Sequence, residues 1–182
     1  MAAPPHPEPV SRAEPQLRLV DLGTGSPDAV ALAALIDELE QRRWVEMTAA
    51  WHLESRVLGA FDEDGTAVGL LRYVIQPIGP ENDCQQSIID GEALTEAKIL
   101  AFGTRPDRRR QGIGLALQRR AIADAAAAGC WQVRSHSAGG YRANHRLKFR
   151  LGFAFHPEVR GGDDRGGYFI LPLRNQFRRV SE

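Results

Sequence analysis

The chain has 182 residues, of which 43% are hydrophobic and 25% charged. That mix suits one globular domain able to bury its own core, and it excludes a wholly disordered chain and, with no apolar run of about 18 residues, a transmembrane helix. The formal net charge of zero argues against a strongly basic nucleic-acid binder, but it hides two opposed halves: residues 1–101 hold 7 basic and 17 acidic side chains (−10), residues 102–182 hold 16 and 6 (+10).

Residues 1–16 are rich in proline and predict a disordered or extended tail. Leu17 to Leu22 predicts a strand. Ser26-Pro27-Asp28 supplies an N-cap, a first-turn proline and an early acid for a helix running to about Glu40. Its apolar face carries Ala31, Leu32, Leu35, Ile36 and Leu39. A second helix is predicted from about Arg43 to Glu54, grouping Trp44, Met47 and Trp51. Arg56 to Phe61, the turn residues 62–66 and Ala67 to Gln76 predict a hairpin. A loop follows from Pro77 to about Glu92, then a strand from about Ala93 to Gly103. Gly112 opens a long helix to about Ala128, and Gly129 stops it. Trp131 to Ser137 predicts a strand, Asn144 to Leu151 a helix ended by Gly152, and Phe153–Phe155 with Tyr168–Leu173 a closing strand pair. The order β-α-α-β-β-β-α-β-α-β-β is α/β, without the strict alternation of a doubly wound fold. The two cysteines, Cys84 and Cys130, make no disulfide framework. The first residues lack the basic and apolar regions of a signal peptide. Both features predict a cytoplasmic protein.

Lys98 to Leu117 (KILAFGTRPDRRRQGIGLAL) is the informative stretch. A strand enters a loop, and Gly112-Ile113-Gly114 begins a helix. The amides of a first helical turn lack internal partners and, with the helix dipole, form an anion site. Glycine lets a phosphate approach the backbone, because no Cβ intervenes. Arg108, Arg109 and Arg110 add positive charge at the same mouth. Leu117 stands where a dinucleotide loop needs its third glycine, and the Gly-Lys-Ser/Thr of a Walker loop is absent.

The pattern Arg109-x-x-Gly112-x-Gly114, with Pro106 ahead of it, closely resembles the acetyl-CoA loop of the GNAT superfamily of N-acetyltransferases. The later strand, the helix 144–151, Gly152-Phe153 and the last strands extend the resemblance over about residues 17–174. The resemblance implies a GNAT fold: a mixed, twisted sheet split near residue 104, with helices on both faces. It places a single domain at 17–174, between the tail 1–16 and a short C-terminal tail 175–182.

It also implies transfer of an acyl group, most simply acetyl, from acetyl-CoA to a primary amine. Attack would be direct within a ternary complex, so Cys84 and Cys130 need no catalytic role and no metal is required. Carried onto this sequence, the amides of Gln111, Gly112, Ile113, Gly114 and Leu115 hold the pyrophosphate, beside Arg109 and Arg110. The strand end Phe102-Gly103-Thr104 pairs with the pantetheine arm and polarises the thioester carbonyl. Asn144 either bonds that arm or serves as a helix N-cap. Family members often carry a tyrosine four residues before the Gly-Phe glycine, where it protonates the leaving thiolate. Here that position is Lys148, whose ammonium offers a proton and a charge, and Tyr141 is a second candidate. For the base, Glu92 and Glu96 precede the split strand and His136 lies on the next, while a water chain is a further route. Lys98 stands where relatives commonly have an acid.

Three rivals exist. Asp21 to Ser26 resembles the first motif of S-adenosylmethionine methyltransferases, but Pro27 occupies the place of a further glycine and the strand order differs. A non-catalytic acyl-CoA-binding or degenerate GNAT domain, acting as a sensor or partner-binding module, is compatible with the missing tyrosine. Nucleic-acid binding by the arginine-rich half finds no recognition motif. The resulting expectation is a monomer or homodimer, free of membrane and nucleic acid. The acceptor-side segments, 28–54 and 77–92, lie in the acidic half, which predicts attraction of a cationic amine.

Overall fold

The computed structural model describes residues 17–22, 26–157 and 166–173. The two predicted tails and Gly23–Gly25 of the methyltransferase-like stretch lie outside these residues. The elements in chain order are β1 (Arg18–Asp21), α1 (Ala29–Glu38), α2 (Arg42–Glu46), β2 (Glu54–Phe61), β3 (Ala67–Pro77), β4 (Ile88–Ile89), β5 (Glu92–Ala93), β6 (Thr95–Thr104), α3 (Ile113–Ala127), β7 (Gln132–Ser137), α4 (Arg142–Arg150), β8 (Ala154–Pro157) and β9 (Gly167–Pro172). Seven strands form one mixed sheet in the order β1-β2-β3-β6-β7-β9-β8. Its β6–β7 pair is parallel and its other pairs are antiparallel. Among the described residues, no helix is long and apolar enough to cross a membrane.

The sheet has a core on each face. Leu71, Tyr73, Ile99, Val133 and Phe169 pack with Ile113, Leu117 and Ala121 of α3. On the other face, Leu70 and Ala101 meet Leu32, Leu35 and Ile36 of α1. Each fully buried leucine on these faces contributes roughly 1.5–3 kcal/mol. The α1 stripe follows the helical spacing seen in the sequence, although the helix starts at Ala29 with Asp28, rather than Ser26, at the N-cap. Ser26 forms the turn before it, its carbonyl accepting the Ala29 N–H at 3.0 Å.

Two segments depart from expectation. The second helix stops at Glu46 instead of reaching Glu54, so Trp44, Met47 and Trp51 do not share a helical face. The cause is Arg72 of β3, which is 2% exposed. It donates to the carbonyls of Trp44 at 2.5 Å and Met47 at 2.7 Å, and to Ser55 Oγ at 3.2 Å. A buried guanidinium requires acceptors, and these carbonyls serve it instead of extending the helix. The expected loop 77–92 also contains a small hairpin, β4–β5, turning on Asp90 (φ +52°) and Gly91 (φ +77°). Two successive positive φ angles are the signature of a type I′ turn.

Two irregularities in β6 shape the end of the strand nearest α3. Against β3, Tyr73 faces Ile99 and Arg72 faces Ala101, so Leu100 is an extra residue in the ladder, a β-bulge. Against β7, pairing runs from Glu96–Gln132 to Ile99–Ser135 and then ends. The two parallel strands therefore part after Ile99. The split begins five residues before position 104, and Phe102, Gly103 and Thr104 lie within the divergent part.

Candidate active site

The divergent strand leads straight into the arginine-rich loop. The N–H of Arg105 donates to the Val68 carbonyl on β3 at 3.0 Å. Strand alternation then turns the peptide groups of Thr104 and Phe102 to the opposite edge, the one β7 has left. Pro106–Arg108 makes one tight 3₁₀ turn. Arg110 (φ +64°) and Gly112 (φ +84°) then take left-handed conformations before α3 starts at Ile113. A Cβ on Gly112 would meet nothing within 4 Å among the described residues, so the helix N-terminus faces open space there. At Gly114 a Cβ would lie 3.0 Å from the Phe102 ring and 3.4 Å from Leu147 of α4. Glycine there lets α3, α4 and the divergent strand meet.

The three loop arginines are not equivalent. Arg108 pairs with Asp62 of the β2–β3 turn at 2.9 Å. Arg109 and Arg110 are exposed and, among the described residues, form no ion pair; Arg109 Nε reaches the Thr104 carbonyl at 3.5 Å. Positive charge and unpartnered helical amides thus share one mouth, a donor set that fits a polyanion.

α4 flanks the same opening. Its N-cap is Tyr141, which is 67% exposed. Asn144 is therefore not a cap. Its amide donates to Ser137 Oγ at 3.1 Å while its Oδ1 is buried without a partner among the described residues. His145 Nε2 lies 3.1 Å from the same hydroxyl. Lys148 is fully buried, with its Nζ 5.2 Å from the Phe153 ring centroid and 5.6 Å from that of Phe169. Among the described residues Nζ has no hydrogen-bond partner, and desolvation pushes the lysine pKa down to about 7.

The face carrying α1 and α2 presents a different set of groups. Glu96 is 1% exposed and saturated: Arg134 Nε donates to both its oxygens at 2.9 and 3.0 Å, and Gln76 and Gln132 bond it at 3.0 and 2.8 Å. Glu81, from the 77–92 segment, contacts both Lys98 and Arg134 and accepts from Gln76 at 2.8 Å. Burial and the Arg134 charge lower Lys98 to about 8. An open cleft of about 240 Å³ adjoins this cluster, walled by Ile78, Asn82, Tyr168 and Ile170. His136 is exposed and packs edge-on against Tyr168, with ring centroids 5.2 Å apart. Glu92 is exposed on β5, away from the splay register. His52, half-buried in the segment before β2, is held below the usual imidazole range by burial and by the charges of Arg72 and Lys98. Cys84 is exposed and Cys130 buried.

Sequence reading missed Glu81, Arg134, His52 and Arg72. For Arg72 a signal exists, since it interrupts the apolar run of β3, whereas Arg134 stands in a strand that is polar at five of its six positions and gives none. Glu81 lies in the short 3₁₀ turn Pro80–Asn82 and His52 in an irregular segment, and neither carries one.

The profile of the Acetyltransferase (GNAT) family matches residues 28–153. The chain belongs to that family. Solved GNAT-fold structures agree with the topology. NAA60 of Arabidopsis thaliana, in complex with acetyl-CoA, is 14% identical, with 87% of this chain and 99% of that chain covered at a TM-score of 0.62. The ribosomal-protein-S18-alanine N-acetyltransferase of Escherichia coli is 17% identical, with 92% and 100% covered at 0.58. A GNAT-family acetyltransferase of Staphylococcus aureus is 8% identical, with 87% and 99% covered at 0.60. A search of curated proteins gives no significant match. At these identities the solved structures bear on the GNAT fold alone.

Proposed function

We propose that the protein transfers an acetyl group from acetyl-CoA to a primary amine by direct attack in a ternary complex. The observation that carries this reading is the cationic, glycine-started N-terminus of α3 at the mouth of a split between two parallel strands. The amides of Gln111 to Leu115 take the pyrophosphate, and Arg109 and Arg110 add charge. The outward peptide groups of Phe102 and Thr104, joined through Gly103, pair with the pantetheine arm and orient the thioester. Asn144 supplies its unpartnered Oδ1 to the same arm.

The thioester supplies an electrophilic carbonyl and a thiolate leaving group. The amine nitrogen bonds to the carbonyl carbon, the C–S bond breaks, and the thiolate takes a proton. Lys148 is the proposed donor. Its burial tunes the ammonium to neutral pH, where a general acid works best. Tyr141, being exposed at the helix cap, is the weaker candidate. Glu96, saturated by its donors, is poorly placed to act as base. We assign removal of the amine proton to His136, directly or through water.

The acceptor enters on the α1–α2 face. The carboxylates nearest the split, Glu81 and Glu96, are matched there by Lys98 and Arg134. Attraction of a cationic amine therefore rests on exposed acids of the 77–92 arm, Asp83 and Asp90. Peptide N-termini are one acceptor class, by analogy with the alanine acceptor named for the E. coli protein. The test is release of free thiol from acetyl-CoA with a panel of amines. Acceptor-dependent release is expected. Tight CoA binding without turnover on any amine would refute catalysis and mark an acyl-CoA-binding module.

A further inference from the structure

Gln118 lies on the sheet-facing side of α3 among Leu117, Ala121 and Ala125 and is 0% exposed. Among the described residues, neither its Nε2 nor its Oε1 has a hydrogen-bond partner. A buried carboxamide with both ends unmet is costly, and a leucine would fill the position without that cost. Its place suggests what offsets the cost. Position 118 is one helical turn beyond Gly114, where the Phe102 ring and Leu147 converge. Next to Leu147 on α4 stands Lys148, with its unpartnered Nζ, and three residues before Leu147 stands Asn144, with its unpartnered Oδ1. Besides Gln76 on β3, three side chains with buried, unpartnered polar atoms, Gln118, Asn144 and Lys148, thus stand on α3 and α4, the two helices that meet the divergent strand.

We propose that Gln118 is a binding residue for a secondary amide of the donor's pantetheine arm. This inference rests on the acyl-CoA reading of the site. A carboxamide offers one acceptor and two donors, and a secondary amide offers the complementary N–H and C=O. A phosphate could engage only the donor end and would leave Oε1 unmet. The arm is the part of coenzyme A that carries secondary amides.

The test compares wild type with Gln118→Leu in two measurements: thermal unfolding without ligand, and calorimetric binding of CoA and of 3′-phospho-ADP, which lacks the arm. The variant is expected to unfold about 2–4 °C higher, having lost two unsatisfied groups. It is expected to bind CoA about 5- to 10-fold more weakly and 3′-phospho-ADP unchanged. Equal CoA affinity in both proteins would overturn the assignment, as would an equal loss on both ligands. Wild type that binds neither ligand would overturn the acyl-CoA reading itself, a separate outcome.

Discussion

Replacing Lys148 by methionine keeps an unbranched side chain, one atom shorter, and removes its titration. The folded protein holds this lysine at about 7, against an ordinary 10.5. Between those values the unfolded chain binds a proton that the folded chain lacks. Stability therefore rises with pH across that window, and the deficit is complete below about pH 7. At ~1.36 kcal/mol per unit, the difference bounds the penalty at about 5 kcal/mol. Local relaxation and water entry reduce such penalties, so about 2–3 kcal/mol is expected at pH 6. Lys148→Met should then unfold about 5–10 °C higher than wild type at pH 6. The gap should shrink through pH 8 and close near pH 10.5. Thermal unfolding at matched ionic strength reads this directly. Parallel stability–pH curves for the two proteins would refute the reasoning, because they would place the amine in water. The same variant should lose about 100-fold in kcat, and with it the fall in rate that wild type shows as pH climbs through the pKa of this group in the loaded enzyme.

Gly112→Ala puts a Cβ on a residue at φ +84° with open space around it. It should cost about 1 kcal/mol of stability through backbone strain alone and weaken CoA binding several-fold by calorimetry; an unchanged Kd would remove the glycine from the anion site. Arg72→Met deprives two carbonyls and Ser55 of their donor. It should lower stability by about 2–3 kcal/mol and speed proteolysis between residues 47 and 53, and resistance equal to wild type would contradict the role given to Arg72. Asp62→Asn frees Arg108 from the β2–β3 turn. It should raise KM for acetyl-CoA a few-fold with kcat unchanged, whereas a fall in kcat alone would count against a loop-positioning effect.

Most of the fold was legible because strong local signals coincided with it. The Leu32–Leu35–Ile36 stripe, the turn at 62–66, and the glycines at 112, 129 and 152 each mark a boundary that the structure keeps. The early end of α2 and the role read for Glu96 share a cause: each needs a partner distant in sequence. The tryptophan and methionine spacing of 44–51 suits a helix, and only a guanidinium contributed by β3 shows why it ends. The Asp90-Gly91 pair was a readable hairpin signal, obscured by the polar residues around it. At the site, the proposed anion loop is readable from spacing, since its chemistry is local to a helix start. The state of Lys148 is not, because burial is decided by Phe153 and Phe169 from other elements. Glu96 read as a possible base for the same reason: its donors Gln76, Gln132 and Arg134 come from two other strands.

The extra residue at Leu100 has a consequence for how this chain can vary. Before it, even-numbered residues such as Glu96 and Lys98 share the α1–α2 face, while Ala97 and Ile99 enter the opposite core. After it the parity reverses: Ala101 packs against α1 and Gly103 sits against Leu39, while Phe102 joins the α3 side. One strand therefore carries two reading frames joined by a single residue. In the proposed reaction, the first frame would set the charges an incoming acceptor meets, and the second the backbone edge offered to a donor. Substitutions in one leave the register of the other intact, so acceptor preference could drift across relatives while the donor edge stays in place.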